Sequence, residues 1–192
     1  MSDLLPLLLR WLHFLFGITW IGLLFYLNLV NVRMMPSLDA GVRPAVIQAN
    51  LRRVMAWFRH TAWLTVLMGL LLGYLLYWQN GHFADTNQAK TILVGGLLGI
   101  IMMLNVWALI WPNQKKIIAA AQAGQTADPS WGRIALYASR TNFALSFPML
   151  LFMAGATHAP MDWPMILISG LIAAAIGLIV LFTVQKWAAP SF

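Results

Sequence analysis

Residues 4–30 read LLPLLLRWLHFLFGITWIGLLFYLNLV, and this apolar stretch decides the fold class. About 20 consecutive apolar residues are enough for a helix to cross a bilayer. Arg10 and His13 are the only residues in the stretch with a basic side chain. The stretch therefore predicts a membrane-spanning helix that buries two basic groups near its start.

Four further apolar stretches follow, at residues 55–78, 91–111, 136–157 and 164–187. No alternating pattern of β-barrel strands is present, so the sequence predicts an all-α, polytopic bundle of about five transmembrane helices in a single domain, residues 1–192. The composition agrees, because 61% of residues are hydrophobic and only 9% are charged. Such a composition excludes a soluble enzyme, a disordered chain and a nucleic-acid-binding protein. The absence of cysteine excludes disulfides and iron–sulfur clusters.

The net charge of +7 indicates topology rather than an acidic partner. Ten of the 12 basic residues fall in residues 31–59, in residues 113–140 or at Lys186, and only Arg10 and Lys90 lie elsewhere. Cytoplasmic loops of membrane proteins are enriched in Lys and Arg. We therefore expect the N-terminus outside and the C-terminus in the cytoplasm, in a bacterial inner membrane.

Ionisable residues inside a bilayer are functional candidates by default, and His13 is the first. It lies about 13 Å into the first helix at 1.5 Å per residue, with Arg10 one turn above it and Gly17 one turn below. Gly17 would leave room for a flat macrocycle, and Arg10 could meet a haem propionate. The alternative is a histidine that hydrogen-bonds to a neighbouring helix.

The other histidines lie at helix ends or in a loop. His158 is placed on the same outer side as His13, where it would be a second axial ligand of a b-type haem or a solvated loop residue. His60 falls near the cytoplasmic end of the second helix, too deep to share an iron with His13. It is the less favoured ligand and would otherwise lie at the membrane interface. His82 lies in a polar outer loop and is expected to be solvated.

Several small and polar residues lie within the spans. Gly69 and Gly73 form a GxxxG pair, which favours close helix packing but also leaves room for a cofactor. Asn105 and Asn142 lie within the third and fourth spans, where amides need partners, so we expect them to bond across helices. Residues 111–116 and 139–142 would form either a polar knot of helix ends or a binding site that faces the cytoplasm.

Three separated motifs resemble the bacterial membrane-bound urate hydroxylase family. The first is LRWLH at residues 9–13 with GITWIG at 17–22, and the second is NVW at 105–107 with IWPNQKK at 110–116. The third is SRTN at 139–142 with LSFPML at 145–150 and the HAP that begins at His158. The first span is also similar to the start of the small haem-binding membrane protoporphyrinogen oxidases.

The resemblance implies a membrane domain that works with haem, with His13 and His158 carried over as family histidines. In the family this domain precedes a cytochrome c domain that accepts electrons during urate oxidation. This sequence has no CxxCH, so we expect a short form without that domain. Where the family has a His-Trp pair, this chain has Ala56-Trp57, and His60 follows three residues later.

Three hypotheses follow. The first is a haem b redox protein with His13 and His158 as axial ligands, Arg10 as the propionate partner, Gly17 as cofactor room, and a separate cytochrome c or a quinone as electron partner. The second is a non-catalytic accessory or assembly subunit of a larger membrane complex, or a homo-oligomer. The third is a small transporter, which the absence of inverted repeats and broken helices disfavours.

Overall fold

The protein is described by a computed structural model that covers the backbone of residues 4–187 and the side chains of residues 4–183. Within that part the secondary structure is helical throughout, without strands. The five long helices are α1 (Leu4–Ser37), α2 (Arg43–Asn80), α3 (Asn87–Gln122), α4 (Pro129–His158) and α5 (Trp163–Trp187). The predicted all-α membrane bundle is confirmed at this level.

Each predicted span lies inside one of these helices, but the first four helices continue beyond the apolar stretch. The α3 helix runs to Gln122, for example, and α2 already begins at Arg43. Helices α1, α2, α3 and α5 are long and apolar enough to cross a membrane. The α4 helix is more polar in its first turns, and it is the one that packs against both α3 and α5.

The helix ends follow local chemistry. Gly81 has a φ of +78° after α2 and Gly124 has a φ of +65° after α3, a backbone conformation that glycine adopts without a Cβ penalty. At the next helix starts, the Thr86 hydroxyl accepts from the Ala89 N–H at 3.1 Å, and the Asp128 carboxylate accepts from the Ser130 N–H at 2.8 Å.

Three helices widen into π turns, at Tyr26–Asn31 in α1, Ile47–Leu51 in α2 and Val106–Ile110 in α3. In α3 the Trp111 N–H donates to the Val106 carbonyl, five residues back. Pro112 follows directly, has no N–H and clashes with a regular preceding turn, which explains the local widening. The sequence analysis did not predict these π turns.

The buried core lies in the half of the bundle that contains the π turns. Trp20, Phe58, Met102 and Val106 are each 0–1% exposed and belong to one cluster contributed by α1 to α4. The α1 helix packs most extensively on α2, and α3 packs most extensively on α4. The bundle is therefore two helix pairs that this core holds together.

Amides reinforce the same region. The Asn28 amide donates to the Ser139 hydroxyl at 2.9 Å and joins α1 to α4. The Asn105 amide donates to the Asn142 carbonyl oxygen at 2.9 Å, and the Asn142 amide donates to the Met102 carbonyl at 2.8 Å, so α3 is joined to α4. The expectation that Asn105 and Asn142 bond across helices is confirmed.

Most basic residues of the described part lie at this end of the bundle, on the last turns of α1 and α3 and the first turns of α2 and α4. Lys90 and Arg10 lie at the other end, as the charge pattern predicted. The side chain of Lys186 is outside the described residues. The orientation of the two ends across the membrane stays a prediction.

We expect Asn105→Ala and Asn142→Ala to be coupled. Each single change leaves the other buried amide short of a partner, and such pairs in membrane proteins are coupled by about 0.6 kcal/mol and up to about 1.7 kcal/mol. The measurement is a double-mutant cycle of unfolding in mixed micelles, with the exposed Asn80→Ala as the control. Strictly additive effects would contradict the proposed tie.

The start of α4 should depend on pH through Asp128. The hydrogen bond from the Ser130 N–H to its carboxylate lowers the pKa of Asp128 below its usual value. A lowered carboxyl pKa adds stability above the unfolded value of about 3.9, and that stability is lost as the pH falls through the folded value. The hydrogen-exchange protection factors of the first turn of α4, that is, the exchange rates corrected for the intrinsic pH dependence of amide exchange, should therefore fall below about pH 4.

Asp128→Asn provides the matched control for this prediction. Asparagine caps a helix about as well as aspartate but does not titrate, so the variant should keep its protection as the pH falls. The prediction is wrong if wild type and Asp128→Asn show the same pH profile.

Candidate functional site

A cavity of about 660 Å³ lies between the two helix pairs, towards the end of the bundle that is opposite to the π turns. This volume is within the usual range for ligand sites, about 300–1,000 Å³. Its walls come from α1, α2, α3 and α4, whereas α5 stays outside. Most of the lining is apolar or aromatic, and the polar groups that line it include Arg10, His13, Gln88 and His158.

His13 is fixed in orientation by the neighbouring helix. Its Nδ1 lies 2.8 Å from the Thr65 carbonyl oxygen of α2. A carbonyl only accepts, so Nδ1 donates the hydrogen bond, and in the neutral imidazole Nε2 then keeps its lone pair. This arrangement is the usual one for a histidine that binds a metal, because the second hydrogen bond sets the tautomer and the ring direction.

Gly69 provides the space for the His13 ring. A Cβ added at Gly69 would lie 2.9 Å from His13 Cε1 and 3.1 Å from Nδ1, closer than real contacts allow. Gly73, one turn along, has nothing within 4 Å of an added Cβ and lines the cavity. The sequence left two roles open for this GxxxG pair, close helix packing and room for a cofactor. Gly69 serves packing, because it receives the His13 side chain from α1, whereas Gly73 adds to the volume of the cavity.

Arg10 and His158 lie closer to the mouth of the cavity than His13 does. Arg10 is exposed one turn before His13, and within the described residues no carboxylate lies within 4 Å of its guanidinium. His158 is the last residue of α4 and is exposed. The structure thus brings three of the predicted site residues to one cavity, although His13 lies deeper than the other two.

Gly17 does not line the cavity. A Cβ there would meet the Thr65 methyl group at 3.6 Å, so Gly17 packs in the contact between α1 and α2. Its part in cofactor binding stays a prediction that the cavity geometry does not support.

His60 also lies away from the cavity. Its Nε2 is 3.3 Å from Arg59 Nε, and its ring meets Trp107 edge-on at 6.3 Å. His60 is nine residues before Gly69 on α2, or about 13 Å along the helix. The position at the far end of the bundle agrees with the interfacial role that the sequence favoured.

Aromatic residues form a lip at the mouth, which the sequence analysis missed. Trp78 stacks on Phe83 with ring centroids 5.3 Å apart, and both line the cavity together with Tyr77. His82, in the same loop, is exposed and bonds to Asp85 at 2.8 Å. The one signal available in the sequence was the closeness of Trp78 to Phe83.

A family model described as urate oxidase N-terminal matches residues 83–189, more than half of the sequence. The chain belongs to the urate oxidase N-terminal family. No curated protein and no solved structure matches this chain. The family match begins in the loop before α3 and contains His158, whereas α1 and α2, with His13 and Thr65, precede it.

Within the urate oxidase N-terminal match, the two polar motifs divide between different contacts. Trp111 stacks under the Arg59 guanidinium at 3.9 Å, and the Asn113 amide bonds back to its own helix at the Leu109 carbonyl. Ser139 and Asn142 make the interhelical ties described above. These contacts account for the knot of helix ends, and they leave Arg140 without a role.

We expect Gly69→Ala to displace the His13 ring and break its hydrogen bond to Thr65, because the added Cβ occupies the space of the ring. The change should shift one imidazole resonance in NMR spectra of the protein labelled with ¹⁵N-histidine, assigned through His13→Gln. Gly73→Ala is the matched control and should leave that resonance in place. An unchanged His13 resonance in Gly69→Ala would contradict this account.

Proposed function

We propose that this member of the urate oxidase N-terminal family is a redox protein of the bacterial inner membrane whose cavity binds haem b. The observation that supports it best is His13, a histidine that keeps its Nε2 lone pair on the wall of an apolar cavity. Haem b, when bound, supplies a one-electron redox centre. The remaining argument concerns what the residues of this chain do.

The cavity residues suit a flat macrocycle with two carboxylates. Gly73, Gly96 and Gly99 line it, and an added Cβ at any of them meets nothing within 4 Å. Arg10 stands at the mouth as a cation without a protein carboxylate nearby in the described part, which suits an anionic propionate. The apolar walls and the aromatic lip would exclude water from the metal and tune its potential.

The two candidate ligands have different roles in this proposal. His13 lies within α1, is held by Thr65 and would be the permanent ligand. His158 ends α4 at the mouth and would be the second ligand. The electron partner would be a separate cytochrome c or a quinone. The link to urate oxidation rests on membership of the urate oxidase N-terminal family.

His13→Ala should abolish haem binding, because no other histidine among the described residues has both an imidazole on the cavity wall and a fixed tautomer. The measurement is the Soret absorbance per protein after expression with added haem, and His60→Ala is the matched control that should keep full absorbance. A monodisperse elution profile shows that each variant folds. Wild-type protein without a Soret band would overturn the proposal and favour the accessory-subunit hypothesis.

His158→Ala should keep the haem but lose one axial ligand. We expect the spectrum to change from low-spin to high-spin, with His13 still in place. His82→Ala, in the adjacent loop, is the control and should stay low-spin. An unchanged low-spin spectrum in His158→Ala would exclude this histidine as a ligand.

A further inference from the structure

Arg140 of the SRTN motif stands apart from the ties that its neighbours make. Its Nε is buried and has no hydrogen-bond partner within the described part of the chain. No carboxylate of that part lies within 4 Å of its guanidinium. Arg140 as a whole is only partly buried, and a group that accepts hydrogen bonds would satisfy its guanidinium.

Arg140 lines a second, open groove of about 360 Å³ between α4 and α5. Tyr137 and Thr141 lie one helical turn apart on α4, are exposed and line the same groove as Arg140. The rest of the groove is apolar and is formed in part by Leu145, Leu178 and Phe182. The groove thus has a polar, cationic end and an apolar remainder.

The depth of Arg140 places this polar end at a membrane interface. Arg140 is 18 residues before His158 on one continuous helix, which corresponds to about 27 Å along its axis. The hydrocarbon core of a bilayer is about 30 Å thick. If His158 lies near one interface, Arg140 lies near the other. The groove residues Ala144 and Leu145 follow Arg140 on α4 and therefore lie closer to the bilayer centre.

Basic residues outnumber acidic residues at the end of the bundle where Arg140 lies, and this excess of positive charge attracts anions. The basic side chains that share it are Arg33, Arg43, Arg52, Arg53, Arg59, Lys115, Lys116 and Arg133. The described acidic residues there are Asp39 and Asp128, and the Asp128 carboxylate is engaged as the cap of α4. Anionic lipids of the cytoplasmic leaflet are attracted to such basic clusters.

We propose that the groove between α4 and α5 binds an anionic phospholipid, with its phosphate on Arg140, Tyr137 and Thr141 and an acyl chain along Leu178 and Phe182. The planar guanidinium donates two parallel hydrogen bonds to phosphate oxygens. The hydroxyls of Tyr137 and Thr141 donate to the same group. This site is separate from the cavity around His13 and does not depend on haem.

The test is native mass spectrometry of the full chain released from detergent with dioleoylphosphatidylglycerol. We expect retention of one lipid, and about tenfold weaker retention in Arg140→Gln, as for loss of a charged hydrogen-bonding partner. Arg133→Gln, at the same end but outside the groove, is the matched control and should bind as wild type. Dioleoylphosphatidylcholine should be retained more weakly than the anionic lipid.

A second variant covers the case in which Arg140→Gln fails to fold. Leu178→Trp fills the apolar part of the groove with Arg140 intact, and it should also release the lipid. Equal losses in Arg133→Gln and Arg140→Gln would overturn the proposal in favour of diffuse charge attraction. Displacement of the lipid by millimolar inorganic phosphate would overturn it in favour of a free-phosphate site, and a dimer that forms in place of the lipid adduct would show that a second copy fills the groove.

Discussion

The structure depends on one constraint, which is that polar groups inside a membrane bundle must find their partners within the protein. Asn28, Ser139, Asn105 and Asn142 satisfy this constraint at one end of the bundle, where they join α1 and α3 to α4. The buried core includes residues next to these bonds, such as Leu27, Met102 and Val106. Because the ties and the densest packing coincide, the relative positions of the helices are fixed there.

The opposite end has a different character for the same reason. Between the helix pairs no amide bond comparable to that of Asn28 and Ser139 is described there, and small residues such as Gly73 and Gly96 line the walls. The polar contact that joins α1 to α2 at this end is the bond from His13 to the Thr65 carbonyl. This bond uses Nδ1 of His13 and leaves Nε2 for a ligand. The cavity is therefore open and also has a nitrogen that can bind a ligand on its wall.

The sequence predicted the parts of this arrangement that local chemistry determines. The five spans, the pairing of Asn105 with another helix and the position of His13 follow from hydropathy and from the cost of burying polar groups. Three features were not predicted: the space at Gly69 that receives the His13 ring, the packing of Gly17 between α1 and α2, and the position of Arg140 in a groove. They depend on the register between helices, which a single sequence does not contain. The π turns were missed because they also depend on how neighbouring helices pack.

The cavity needs both halves of the chain, although the family match covers only the second. His13, Thr65 and Gly69 belong to α1 and α2, whereas His158 and the opposite wall come from α3 and α4. A ligand that contacts both walls would bind only the assembled bundle and would stabilise it in proportion to its occupancy. The cavity separates the two helix pairs at this end, so such a ligand would link them there. Binding of the proposed cofactor and assembly of the cavity end of the bundle are therefore expected to be one process.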